Sequence, residues 1–229
     1  MALADRTWVE VPPWPVVIVP VGSFEQHGPH LPMDTDARIA EAVAEELAPL
    51  LGGTVAPTVA YGASGEHQGF PGTISIGTDA LARLLVEMVR SLRTWAGRVI
   101  LVNGHGGNAA AVTAAVKHLV AEGHDVTWVP CVWQGDAHAG RAETSLMLHL
   151  SPHRVRVHAA EAGNGRPLAD LMPALRASGV RSASPNGVLG DPAGATAREG
   201  ARLLADMVAD AAGRIAIDRP GMNLGQSYA

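Results

Sequence analysis

The segment Val16-Val17-Ile18-Val19-Pro20-Val21 is apolar and rich in β-branched residues, and it runs straight into Gly22-Ser23-Phe24-Glu25-Gln26-His27. Such a run, bounded by proline and glycine, reads as a buried strand of the kind found inside a parallel sheet. Two later runs repeat the pattern. Arg98 to Asn103 leads into Gly104-His105-Gly106-Gly107-Asn108, and Val126 to Val132 leads toward Asp136-Ala137-His138. The intervening segments have helical periodicity. Asp36 to Leu51 spaces Ile39, Val43, Leu47 and Leu50 by four and three, with Gly52-Gly53 as a stop. Thr54 to Val59 reads as a short strand. Asp79 is placed to cap a helix through Trp95 that carries Leu81, Leu84, Leu85, Met88, Val89 and Leu92. Ala109 to Val120 is helical, and Asp136 to Ser145 leads into a further helical turn. Gly163 to Gly194 reads as loops around a short helix at Leu168 to Ala177. Thr196-Ala197-Arg198-Glu199 is a capping-box sequence opening a last helix to about Ile215. Alternation of this kind predicts an α/β fold: one domain over residues 1–229, a three-layer α/β/α sandwich with a mostly parallel central sheet.

Composition narrows the function classes. The 229 residues suffice for one sizeable core, and with 47% hydrophobic but only 4% aromatic residues, Ala, Val and Leu must fill it. A net charge of -5 argues against nucleic acid as the main partner. The lone Cys131 forms no intrachain disulfide, and it sits in a strand with no basic neighbour to activate it. Met1 to Val11 lacks the apolar centre of a signal peptide, and no apolar run approaches the ~20 residues that span a bilayer. The expectation is a cytoplasmic protein with no membrane partner.

The polar residues cluster where strands end. In open α/β sheets ligands bind beyond the carboxyl ends of the strands, so Glu25, His27, His105 and His138 can converge from distant sequence. Glu25 and His27 stand two residues apart and share a face if the backbone stays extended. With Asp36 they make a carboxylate, imidazole and carboxylate set suited to a divalent cation. Spacing leaves Asp34 open beside Asp36, and His30 beside His27. Blander readings stand next to each. Asp36 could cap the following helix. His138 and Glu143 could be a solvated helix start, and Glu66-His67 could be a lid, a ligand or neither. Asn103 to Asn108 could cradle phosphate as part of a non-enzymatic nucleotide- or metal-binding module, although it lacks the Walker lysine. His118, His124, His149, His153 and His158 read as surface or packing residues.

Val21 to Asp36, then Asn103-Gly104-His105-Gly106-Gly107-Asn108, then His138-Ala139-Gly140-Arg141-Ala142-Glu143-Thr144-Ser145 resemble, in order and spacing, the creatininase family of metal-dependent amidohydrolases. Tyr61 to Gln68, Gly72 to Thr78, His149 to Pro152 and Gly187 to Pro192 are similar to that family's mycofactocin branch, which trims a modified precursor peptide. The resemblance implies a creatininase-like fold, a homo-oligomer and two divalent ions drawn from Zn, Fe and Mn. It implies Asp36 as the bridging carboxylate, Glu25 and His105 as ligands of one ion and His27 as a ligand of the other. It also implies His138 as the proton-handling histidine and Glu143 as the acid that follows it. Creatininase itself has a glutamate ligand where this chain has Gly107, which leaves Glu143 or water to complete the second ion's shell; we take Glu143. The aromatic substrate contact of creatininase is replaced by Gly106, which implies a roomier pocket. Glu66, His67 and Thr73 are the expected substrate contacts. The implied activity is hydrolysis of a peptide bond in the modified mycofactocin precursor, releasing its C-terminal Val-Tyr-derived unit. A hydrolase of a small cyclic amide or formamide is the alternative.

Overall fold

The computed structural model describes residues 2–218. Four strands, β1 (Val16–Val21), β2 (Gly53–Val55), β3 (Arg98–Asn103) and β4 (Val126–Pro130), form an all-parallel sheet in the order β2-β1-β3-β4. The helices are α1 (Thr35–Leu51), α2 (Thr78–Leu92), α3 (Ala109–Ala121), α4 (Arg141–Leu150), α5 (Leu168–Ser178), α6 (Val180–Ala183) and α7 (Ala197–Asp218).

Alternation within the strands sorts side chains onto two apolar layers. On one face Ile18, Ile100, Val102 and Val129 pack with α1, α4 and α7 through Ile39, Val43, Leu47, Leu146, Leu204 and Met207. On the other, Val17, Val19, Val99 and Leu101 pack with α2 and α3 through Leu81, Leu85, Val89, Val112 and Leu119. Each such fully buried aliphatic side chain contributes roughly 1.5–3 kcal/mol. This is the expected three-layer sandwich.

Boundaries depart from the sequence pattern for local reasons. The strand expected over Thr54 to Val59 ends at Val55. Ala56 and Val59 still donate to the main-chain oxygens of Ile18 and Pro20, both at 2.9 Å. Pro20 is tolerated in β1 because its missing donor would face this same side, beyond the last paired residue of β2. The third strand stops at Pro130 rather than Val132. Asp79 does not cap α2: the helix starts at Thr78 behind Gly77, whose φ is 80°, and no side chain caps it. Only half of the expected capping box forms. Thr196 Oγ1 accepts from the Glu199 N–H at 3.1 Å, but the Thr196 N–H donates to Ser145 Oγ and the Glu199 carboxylate pairs with Arg141 at 2.8 Å.

Because β1 leads through α1 to β2 on one side while β3 lies on the other, a crevice opens at the carboxyl ends of β1 and β3. Val21 is in register with Asn103, so the segments beginning at Gly22 and Gly104 leave the sheet side by side.

Candidate metal centre

Two glycines let these segments approach α1. A Cβ on Gly22 would lie 2.4 Å from Ala37 Cα, and one on Gly104 would lie 2.4 Å from the Asp36 carbonyl oxygen. The first turn of α1 is therefore pressed against both strand ends. Asp36, second residue of that helix, points back into the crevice and serves no cap.

Asp36 offers one oxygen to each side. Its Oδ1 lies 3.1 Å from His27 Nε2 and its Oδ2 3.3 Å from His105 Nδ1. Glu25 Oε2 is 3.3 Å from His105 Nε2, and Glu143 Oε2 is 4.0 Å from His27 Nε2. Donor atoms of Glu25, His27 and Asp36 lie within 4.8 Å of one another, as do those of His27, His138 and Glu143, and those of Glu25, His67 and His138. His105 belongs to none of these three triads, yet its ring lies between Glu25 and Asp36 at the distances just given. Every one of these side chains is buried. The structure thus brings together all five expected ligands, Glu25, His27, Asp36, His105 and Glu143.

It also resolves the two ambiguities of spacing. Asp34 turns outward and pairs with Arg38 and Arg154, each at 2.9 Å. His30 is buried, but its Nε2 contacts Thr144 Oγ1 at 2.8 Å, away from the cluster.

The group fits divalent cations. Glu25 Oε1, Asp36 Oδ2 and His105 Nε2 are buried without a hydrogen-bond partner, a costly condition that a cation would relieve. His27 Nδ1 lies 3.1 Å from the Glu25 carbonyl, which only accepts, so Nδ1 carries a hydrogen and Nε2, facing Asp36, is the nitrogen that a cation would take once its own proton is lost. Without a cation the buried charges pair unevenly: the two glutamates resist ionisation, while His27 and Asp36 hold each other charged. Burial raises Glu25 and Glu143 to about 7. Burial pulls His27 down, but Asp36, then Glu143 and Glu25, more than reverse this and raise it to about 10. Burial likewise opposes the charged form of Asp36, yet His27 and His105 hold its carboxyl below the usual range. Burial, reinforced by His27 and His67, holds His138 well below its ordinary value, so it is neutral.

Above the cluster lies a cavity of about 620 Å³, within the ~300–1,000 Å³ range of small-molecule sites. Asp36, Glu66, His67, His105, His138 and Glu143 line its polar side, and Leu168, Met172, Leu175, Val180 and Leu189 line an apolar side built from α5, α6 and the 187–190 loop. Glu66 and His67 sit in a short 3-10 turn, Gly65–His67, rather than in a loose loop. His67 Nε2 is 3.2 Å from Glu25 Oε1, and Glu66 Oε1 is 3.4 Å from His105 Nε2. That last contact depends on Gly107, where a Cβ would fall 2.4 Å from His105 Nε2 and 2.6 Å from Glu66 Oε1. Thr73 does not line the cavity; its Oγ1 accepts from the Gln26 N–H at 3.1 Å.

Several supporting residues escaped the sequence reading. Ser23 Oγ donates to Glu25 Oε2 at 2.8 Å and also contacts Ser64 Oγ. Asn108 donates to the Gly22 carbonyl at 2.9 Å and accepts from the Ala63 N–H at 2.8 Å, tying the β1, β3 and Tyr61 loops together. The second asparagine of Asn103-Gly104-His105-Gly106-Gly107-Asn108 was the available signal. Ala139, just after His138, is fully buried at φ 51°, a conformation that non-glycine residues rarely adopt, and its N–H is held by Glu143.

Residues 4–215 match the family model for creatinine amidohydrolase, creatininase. The chain is 56% identical over 216 residues to the mycofactocin precursor peptide peptidase of Mycolicibacterium smegmatis, covering 91% of this chain and 87% of that protein. Among solved structures it resembles one described as "Creatininase Mn", with a TM-score of 0.79 at 26% identity over 95% of this chain and 98% of that one. It also resembles a creatininase variant of Zn-Zn type, with a TM-score of 0.76 at 25% identity over 95% and 98% of the two chains. A family match over residues 4–215, nearly the whole chain, makes this protein a member of the creatininase family.

Proposed function

We propose that this chain is a metal-dependent peptidase that cleaves the modified mycofactocin precursor peptide and releases its C-terminal Val-Tyr-derived unit. The observation that carries the reading is the set of five buried acid and imidazole side chains, Glu25, His27, Asp36, His105 and Glu143, gathered under a cavity with one polar and one apolar side. The 56% identity to a peptidase of that name supports the choice of substrate. Glu25, Asp36 and His105 would hold one ion, and His27, Asp36 and Glu143 the other, with Zn, Fe and Mn all compatible with mixed carboxylate and imidazole donors. When bound, such a pair supplies Lewis acidity for an amide carbonyl and makes water acidic enough to deprotonate near neutral pH.

The chain's own groups do the rest. His138 lines the cavity, and its Nδ1 faces inward, 3.8 Å from Glu25 Oε1. Neutral as the free base, it accepts a proton from the attacking water and delivers it to the departing amine nitrogen. Glu143 fixes the turn that carries His138 by accepting the Ala139 N–H. The apolar side packs against the aliphatic and aromatic parts of the released unit and keeps bulk water off the reacting bond. The reading also includes cytoplasmic location, a homo-oligomer and one catalytic domain over residues 1–229.

The test is elemental analysis of the purified protein together with mass spectrometry of the modified precursor after incubation. Near two ions per chain and release of the C-terminal unit are expected, both lost in His105→Ala. Turnover of small cyclic amides or formamides without precursor cleavage would instead support the alternative substrate class. Full activity in His105→Ala would end the metal reading.

A further inference from the structure

Gln26 lies between Glu25 and His27 in the sequence; its side-chain amide sits between the His67 and His138 rings, and the residue is only 6% exposed. Two backbone groups fix the orientation of its amide. Oε1 accepts from the Gly28 N–H at 2.9 Å, and Nε2 donates to the Gly187 carbonyl at 3.1 Å. Exchanging oxygen and nitrogen would set donor against donor and acceptor against acceptor, so only this orientation is satisfied. The fit is close, since a Cβ on Gly187 would lie 1.9 Å from Oε1.

The second amide hydrogen has two candidate acceptors, His67 Nδ1 at 2.9 Å and His138 Nε2 at 3.0 Å. The latter is already committed. His138 Nε2 lies 2.8 Å from the main-chain oxygen of Gln26, which can only accept, so that nitrogen carries the ring hydrogen. The amide therefore donates to His67 Nδ1, and the 3.0 Å approach to His138 Nε2 holds no hydrogen bond.

We propose that Gln26 is a positioning residue that fixes the tautomers of both histidines, its side chain setting His67 and its main-chain carbonyl setting His138. Both rings then carry their hydrogen on Nε2. For His67 this leaves Nε2, the ring nitrogen 3.2 Å from Glu25 Oε1, with a hydrogen and no lone pair, which removes His67 from metal ligation even though distance alone groups it with Glu25 and His138. For His138 it leaves the lone pair on Nδ1, the nitrogen 3.8 Å from Glu25 Oε1, as proton acceptance requires. The consequence for His138 rests on the catalytic reading above; the tautomers themselves do not.

The test is long-range 1H–15N correlation of histidine rings in the Zn-loaded protein, with His67 and His138 assigned by substitution. In the native chain both rings are expected as Nε2–H tautomers, with His67 bearing no Zn. Gln26→Leu removes the donor to His67, so His67 should lose that single tautomer while His138 keeps its own. Gln26→Glu replaces the donor with an acceptor, so His67 should invert to Nδ1–H; this variant serves if Gln26→Leu does not fold. With the precursor peptide, both variants should lower kcat at least tenfold with KM within threefold. An Nδ1–H or Zn-bound His67 in the native chain, or a His67 spectrum unchanged in both variants, overturns the proposal. The ring spectra need no substrate, so failure of the peptidase reading alone would leave them intact.

Discussion

Gly200 and Gly213 sit on the same helix, α7, and the same substitution at each is expected to act with opposite sign. A Cβ on Gly200 would lie 2.0 Å from the Ser145 carbonyl oxygen and 2.9 Å from His149 Cβ, both on α4. Ordinary contact begins near 3.4 Å, so α4 and α7 must part by about 1.4 Å, and the blocking atom is backbone that cannot rotate aside. Overpacking of this kind costs about 1–3 kcal/mol, against a gain of up to ~1 kcal/mol from replacing a helical glycine. Nothing lies within 4 Å of a Cβ on Gly213, so there the helix gain stands alone. At roughly 2–4 °C per kcal/mol for a chain of this size, Gly200→Ala should lower Tm by up to about 8 °C and Gly213→Ala should raise it by about 1–4 °C. Thermal melts followed by circular dichroism on metal-free protein read both. Since α4 carries Glu143, Gly200→Ala should also lower metal retention, whereas Gly213→Ala should not. If Gly200→Ala melts at or above the parent temperature, the helices do not approach as described.

Asp36→Ala should remove bound metal and activity, while Asp34→Ala, which breaks only partly exposed pairs with Arg38 and Arg154, should keep both and change stability by no more than about 1 kcal/mol; metal content and urea unfolding decide. Glu143→Gln should lower metal content from near two ions toward one per chain and reduce kcat at least ~100-fold, checked by elemental analysis beside turnover of the precursor. A variant that retains both ions would remove Glu143 from the ligand set. Stabilisation by metal should also grow as pH rises from about 5 to 8. In the metal-free protein Glu25 and Glu143, raised from 4.5 to about 7, contribute stability below 4.5 that is lost as they ionise through 7. His27, raised from 6.5 to about 10, contributes stability that is complete below 6.5 and lost only as pH rises through 10. Bound cations favour the deprotonated ligands, so the Tm difference between loaded and metal-free protein should widen over that window. A difference that narrows would contradict the assignment of these groups as ligands.

Periodicity in the chain was enough to set the alternating strands and helices, because apolar residues at spacings of two and of three to four decide which elements bury a face. Two features were beyond its reach. Regular pairing of β2 ends at Val55 because Ala56 and Val59, three residues apart, bond to Ile18 and Pro20, two apart, while the half-formed capping box at Thr196 exists because Ser145 and Arg141, distant in sequence, compete for its groups. Motif order pointed to Glu25, His27, Asp36, His105 and Glu143 as candidate ligands, and these side chains do lie together. Spacing alone left Asp34 open beside Asp36; the resemblance chose Asp36, and the first turn of α1 turns Asp36 into the crevice and Asp34 outward to Arg38 and Arg154.

By itself, then, the sequence determined the donor chemistry: acids and imidazoles directly after buried runs, with glycines where backbones must touch. Only the tertiary structure decided which of those donors share a site. The strand order β2-β1-β3-β4 sets the ends of β1 and β3 side by side, and the contact of α1 with Gly22 and Gly104 turns Asp36 between His27 and His105. The physical reason is that a ligand set is a matter of direction and distance across strands, and neither quantity is encoded in the spacing of residues along one chain segment.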